Sequence, residues 1–231
     1  MLPTVKICGI RTVGVLRELK ELPITQIGFV FAPSKRRVTP EEAGELIGYL
    51  RSEGMQQGGL FRSAGVFVNP DLEELRSVLA SAPLDIVQLH GRETPEFCRQ
   101  VKEELGVVIF KAVTLPEGEG AAGSHGENGE LTRVLEPYVP YIDAFLLDTY
   151  DPVSGGGSGR TFSWEAIAPI RDWARSKGRK LIVAGGLHAD NVQELLRRYE
   201  PDGVDVSSGV ETDGVKDAGK IRLFMKRVEQ G

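Results

Sequence analysis

Cysteine is nearly missing from this chain: Cys8 and Cys98 are the only two in 231 residues. Two thiols cannot build a disulfide framework, so a reducing, cytoplasmic setting is expected. Histidine is almost as scarce, with three, and no cluster of His, Cys and carboxylates stands at ligand spacing, so no metal site is expected. Long apolar runs are absent as well. No stretch approaches the roughly 20 apolar residues that span a bilayer, and the start, MLPTVKICGI, lacks the apolar core of a signal peptide and reads as a strand. Neither sign of charge dominates, since 28 Lys and Arg are interspersed with 33 Asp and Glu for a net charge of -5. That balance argues against nucleic acid and membrane as partners and leaves a small molecule.

What the chain has in quantity is alternation. Hydrophobic content of 41% with 26% charged residues is that of an ordinary globular protein. Short apolar strands are expected at 5–8, 26–31, 64–68, 85–89, 107–113, 144–148, 180–184 and 203–206. Between them lie stretches with helical spacing, such as Val13, Leu16 and Leu19, and strong helix starts such as Thr39-Pro40-Glu41-Glu42, with Thr as cap, Pro at the first position and Glu at the third. Asn69-Pro70 and Thr94-Pro95 open two more helices. Eight βα repeats at this length fit one closed (β/α)8 TIM barrel over residues 1–231 better than an open doubly wound sheet, which would want a G-x-G-x-x-G turn that Gly9 does not begin. Two segments stand apart: a Gly- and Glu-rich insert at 116–129, expected to be poorly ordered, and the polar connector at 52–63.

In such a barrel, reactive groups collect where strands end at the C-terminal face. The stretch LLDTYDPVSGGGSGRTFSW, Leu146 to Trp164, delivers Asp148 to that face and runs into a glycine-rich loop, which makes Asp148 the first candidate for a catalytic acid. Cys8 ends strand one with Lys6 two residues below it on the same face. A nearby ammonium would favour the thiolate, lowering a thiol pKa from about 8.5 and making Cys8 a base or nucleophile; the alternative is a small buried hydrophobe, as Cys98 in its helix is expected to be. Strand eight lies beside strand one in a closed barrel, so Asp205 would approach Lys6 as a buried ion pair or meet a substrate hydroxyl. Gly185 and Gly186 after strand seven, with Ser208 and Gly209 after strand eight, form two small-residue loops suited to a phosphate. Ser34-Lys35-Arg36-Arg37 puts positive charge at the mouth, where Arg37 could grip a carboxylate in bidentate fashion. His90, beside Gly91, reads as a structural residue.

Taken together, these segments resemble phosphoribosylanthranilate isomerase of tryptophan biosynthesis, nearly end to end. The likeness rests on KICGI at 6–10, GFVF and SKRRVTPEEA within 28–43, GVFVNP at 65–70, VQLHG at 87–91, LLDT at 146–149, GGSG at 156–159, AGGL at 184–187 and VDVSSGVE at 204–211. The resemblance implies an Amadori rearrangement of N-(5-phosphoribosyl)anthranilate, a small phosphorylated substrate, without a cofactor. It implies Cys8 as the base that takes the proton from ribose C2', Asp148 as the acid that protonates the ring oxygen, and Arg37 facing the anthranilate carboxylate, with Arg36 as the alternative. The phosphate falls to the loops after strands seven and eight, and the glycines at 155–159 become a flap. Other phosphosugar barrels fit less well: a ribulose-phosphate epimerase would want metal-binding His and Asp at strand ends, and the histidine-pathway isomerase an Asp where Cys8 stands. A barrel that only binds a phosphorylated ligand is the non-enzymatic alternative. A monomer is expected, with a homodimer as the other possibility.

Overall fold

A computed structural model describes residues 3–52, 61–114, 131–148 and 164–231. The insert at 116–129 and the glycine loop at 155–159 lie outside the described residues, as does most of the connector at 52–63. Strands β1 (Thr4–Cys8), β2 (Gln26–Val30), β3 (Arg62–Phe67), β4 (Ile86–Leu89), β5 (Val108–Thr114), β6 (Ala144–Asp148), β7 (Lys180–Ala184) and β8 (Gly203–Val206) close into a barrel in sequence order. Every neighbouring pair is parallel, β1 with β8 included, where Lys6 stands opposite Asp205. The fold class is thus a (β/α)8 barrel.

Helices α1 (Val13–Leu19), α2 (Pro40–Ser52), α3 (Leu72–Ser81), α4 (Pro95–Leu105), α5 (described over 131–135), α6 (Ile167–Ser176), α7 (Val192–Tyr199) and α8 (Ala218–Glu229) cover the outside. Their starts follow from side chains that satisfy the free amides of a first turn. At α2 the Thr39 amide donates to Glu42 while the Glu42 amide donates to Thr39 Oγ1, the reciprocal capping box. Thr94 caps α4 with Pro95 following, and Thr12 caps α1. At α3 the structure departs from the expected Asn69-Pro70 start. Asp71 is the cap, accepting from the Glu74 amide, because Asn69 sits at a left-handed φ of 50° and its side chain instead accepts from the Arg92 amide. The other shifts are of one to three residues at element ends, where capping decides.

Pleating divides the strands between two cores. Outward-facing Ile7, Phe29, Phe67, Val87, Phe145, Leu147 and Val183 pack beneath the helices, with Phe145 against Trp173 at 5.4 Å between ring centroids. Inward-facing Ala64, Ile86, Phe110, Ala144, Leu146 and Ile182 fill the middle of the barrel. Near its mouth Cys8, Val30 and Val66 form a smaller apolar group. Four inward positions are polar and buried: Lys6, Gln26, Gln88 and Asp205.

Candidate active site

Cys8 closes β1, with the left-handed Gly9 (φ 83°) turning the chain out of the barrel. On the neighbouring strand, Gly28 makes room for it: a Cβ there would come within 2.8 Å of Cys8 Sγ and 3.0 Å of Lys6 Cε. Lys6 does pull the thiol pKa down, as its place two residues below Cys8 predicts, but the expected net lowering is corrected by the burial of the site. Burial pushes the Cys8 thiol up, and the pull of Lys6 and Lys216, opposed by Asp205, does not reverse it. Cys8 in this state holds its proton.

Lys6 is fully buried and also serves two further partners. Its Nζ donates to Asp205 Oδ2 at 2.7 Å and to Gln88 Oε1 at 2.6 Å. Asp205 is thus the ion-pair partner expected of it, yet its Oδ1 is buried without a hydrogen-bond partner among the described residues. A buried acceptor left open is costly unless something arrives to fill it. From Gln88 the network continues: Nε2 lies 2.9 Å from His90 Nδ1, and His90 Nε2 lies 3.0 Å from Asp148 Oδ2. Asp148, at the end of β6, is therefore joined to the neighbourhood of Cys8 by Asp205, Lys6, Gln88 and His90 in unbroken sequence. His90 was expected to be structural and Gln88 was not singled out. The signal was present in Ile86–Leu89, an apolar strand with one amide at an inward position two residues before a histidine.

The two arginines part company. Arg36 leans over Gly9, where a Cβ would lie 2.7 Å from its Cδ, and its guanidinium forks onto Glu211 with both contacts at 2.7 Å. Arg37 lies exposed beside it, with its backbone bridged to Val30. Glu211 also takes Lys216 at 2.5 Å, and Lys216 donates to the carbonyl of Ser207, whose hydroxyl donates to the carbonyl of Cys8. This cluster ties the segment after β8 to the end of β1.

The loops after β7 and β8 touch each other. Gly185 (φ 82°) and Gly186 (φ 61°) are both left-handed, and a Cβ at Gly209 would lie 1.8 Å from the Leu187 carbonyl oxygen, so only glycine permits the approach. Asn191 donates to the Gly186 carbonyl and accepts from the His188 amide. Gly186 and Ser208 stay exposed on the same face as Cys8 and Asp148. Among the described residues no three of His, Cys, Asp and Glu gather as a metal-holding group. Nor, among them, is any helix long and apolar enough to cross a membrane.

A closed barrel with reactive groups at its mouth serves many chemistries, and comparison with known proteins separates them. A family model described as N-(5'-phosphoribosyl)anthranilate (PRA) isomerase matches residues 5–227. The chain belongs to the phosphoribosylanthranilate isomerase family. The N-(5'-phosphoribosyl)anthranilate isomerase of Brevibacillus brevis is 45% identical over 224 residues, covering 97% of this chain and 92% of that protein. Among solved structures, monomers of the dimeric isomerase from Thermotoga maritima superpose with a TM-score of 0.76 at 33% identity, covering 99% of both chains. An isomerase in complex with reduced 1-(O-carboxyphenylamino)-1-deoxyribulose 5-phosphate gives 0.74 at 32% identity, again over 99% of both. The family is one of enzymes of tryptophan biosynthesis, acting on a small phosphorylated substrate.

Proposed function

We propose that this family member isomerises N-(5-phosphoribosyl)anthranilate to 1-(2-carboxyphenylamino)-1-deoxyribulose 5-phosphate with Cys8 as general base and Asp148 as general acid. The observation that carries the assignment of roles is the hydrogen-bonded chain spanning the mouth from Asp205 beside Cys8 to Asp148. Opening the furanose requires a proton on a poor leaving group, so the carboxyl of Asp148 gives its proton to the ring oxygen as the C1'–O bond breaks. The aniline nitrogen's lone pair forms a C1'=N iminium. That cation acidifies C2', whose proton goes to the Cys8 thiolate while the C–H electrons form the C1'=C2' enolamine and return the nitrogen lone pair. Transfer of the enol proton to C1' leaves the ketone. No electrons enter or leave, so the reaction calls for no cofactor. Burial keeps the thiolate scarce, but a thiolate of raised pKa is the stronger base, a trade that suits an acidified C–H.

The substrate's ends are assigned by charge and space. Asp205 Oδ1, the open buried acceptor, suits a ribose hydroxyl. Gly185, Gly186, Ser208 and Gly209 offer backbone amides to the phosphate, and a sulfate or phosphate soak is expected to fill the space between Gly186 and Ser208. The anthranilate carboxylate goes to Arg36 in preference to Arg37, since Arg36 leans over the end of β1. Strands paired on both sides within one chain support the reading of a monomer over a homodimer, with sedimentation equilibrium as its check. A base that must be a free thiol also fits a reducing cytoplasm.

The test is an anthranilate-fluorescence assay on purified protein. Cys8→Ala and Asp148→Asn should each lower kcat about 10²- to 10⁴-fold with circular dichroism unchanged. Cys98, buried and with its thiol raised to about 11, chiefly by that burial, serves as the control when changed to Ala. Wild-type turnover in both site variants would remove the assignment.

A further inference from the structure

Lys6 and Gln88 make no hydrogen bond to the proposed acid, yet together they decide which nitrogen of His90 carries its proton. A lysine ammonium has only hydrogens to offer, so the Gln88 atom 2.6 Å from Lys6 Nζ is the carbonyl Oε1. That fixes the amide, and its NH2 faces His90 Nδ1 at 2.9 Å as a donor. Nδ1 must then accept, which puts the ring hydrogen on Nε2, aimed at Asp148 Oδ2 at 3.0 Å. The Lys6–Gln88 end of this chain is closed to solvent, with Lys6 0% and Gln88 1% exposed, whereas the His90 and Asp148 side chains at the other end are 27% and 19% exposed.

We infer that His90 is a positioning residue, locked by Lys6 through Gln88 in its Nε2–H tautomer, which holds Oδ2 of Asp148 as an acceptor and directs the acid's transferable proton to Oδ1. The inference rests on the reading of Asp148 as the acid. The surroundings are built to keep the imidazole in place. The His90 amide donates to the Phe67 carbonyl at 2.8 Å, the Gly91 amide donates to Glu93, and buried Lys111 joins Glu93 to the Gly91 carbonyl. An amide does not relay protons, so the chain orients Asp148 and does not conduct between acid and base. A carboxyl whose proton sits on a defined oxygen needs no rotation before transfer, and misalignment on the ångström scale is costly in rate.

The test joins spectroscopy and kinetics. In protein labelled with 15N-histidine, ring-nitrogen shifts should show His90 protonated on Nε2 and bare on Nδ1, with the signal assigned by its loss in His90→Gln. His90→Asn keeps an amide where Nδ1 stood but cannot reach Asp148, whereas His90→Gln restores a donor near Nε2. The Asn variant should lose about ten- to a hundredfold in kcat with little change in KM, and the Gln variant should recover most of it. Gln88→Glu turns a donor into an acceptor beside Nδ1 and should move the hydrogen to Nδ1. A wild-type Nδ1–H signal, or equal losses in the Asn and Gln variants, overturns the inference. Failure of the wild type to turn over the substrate would instead strike the isomerase reading, leaving the tautomer measurement to judge the hydrogen-bond chain by itself.

Discussion

Arg36 and Arg37 are adjacent in sequence and carry the same charge, but the turn after β2 sends one over the barrel mouth and leaves the other exposed. Two nitrogens of the Arg36 guanidinium already hold Glu211, but a single charged hydrogen bond to the substrate carboxylate is worth about 1.5 to 3 kcal/mol, so Arg36→Ala should raise KM roughly ten- to a hundredfold. Arg37→Ala should leave KM within about twofold, as exposed substitutions do. Steady-state kinetics on both variants decide, and the reverse result returns the carboxylate to Arg37. The same cluster makes a prediction about acid. Burial would raise the Glu211 carboxyl, but hydrogen bonds from Arg36 and Lys216 bring it down to about 2 from an ordinary 4.5. A depressed carboxyl stabilises the fold above its unfolded pKa and loses that contribution as pH falls through its folded value. Melting temperatures of wild type and Glu211→Gln should therefore differ above pH 4.5 and converge as pH falls towards 2. A constant difference across that window would show that the cluster stabilises by packing and not by charge.

At the scale of elements, helix–helix approach depends on single glycines. A Cβ at Gly44 of α2 would meet the Ser81 carbonyl oxygen, at the end of α3, at 2.3 Å. Gly44→Ala should lower stability by about 1 to 3 kcal/mol, the usual range for overpacking, although alanine is the better helix former. Urea unfolding measures this, and a stabilised variant would mean that the helices separate freely. Such contacts are invisible in sequence, where Gly44 is only a weak helix residue. The elements themselves were legible: β6, β7 and β8 are apolar runs with sharp polar or glycine boundaries, and the caps at Thr39 and Thr94 declare their helices. The start of α3 was not, because Asn69 and Asp71 are both good caps and only the tertiary bond from the Arg92 amide to Asn69 chooses between them. At the site, strand-end position picked out Cys8 and Asp148, and the closure of strand eight against strand one picked out Asp205. Gln88 escaped because its meaning lies in partners on β1 and beyond β4, and the charge state of Cys8 was misjudged because spacing along a strand reports neighbours but not desolvation.

The whole molecule closes where β8 meets β1, and at that seam Lys6 and Asp205 stand in register as a buried ion pair. Taking two charges out of water is costly, and removing one partner leaves the other uncompensated, so Asp205→Ala should cost about 3 to 5 kcal/mol at neutral pH. The pH dependence identifies the cause. Burial alone would lower the Lys6 pKa, but Asp205 and Cys8 more than offset it and hold it above the ordinary 10.5. A raised folded pKa gives a contribution fully present below the unfolded value and lost only as pH rises through the folded one. In Asp205→Ala burial is opposed by less, so the folded Lys6 sheds its proton more readily than the unfolded chain and the variant gains stability as pH climbs. Urea unfolding from pH 7 upward should show the gap between wild type and variant narrowing as pH approaches 10.5. Lys6→Met combined with Asp205→Leu, which fills the space without charge, should recover most of the loss. A gap that stays constant with pH would mean that the seam is held by its backbone ladder and apolar packing, and that Lys6 and Asp205 are kept for the substrate and for His90 alone.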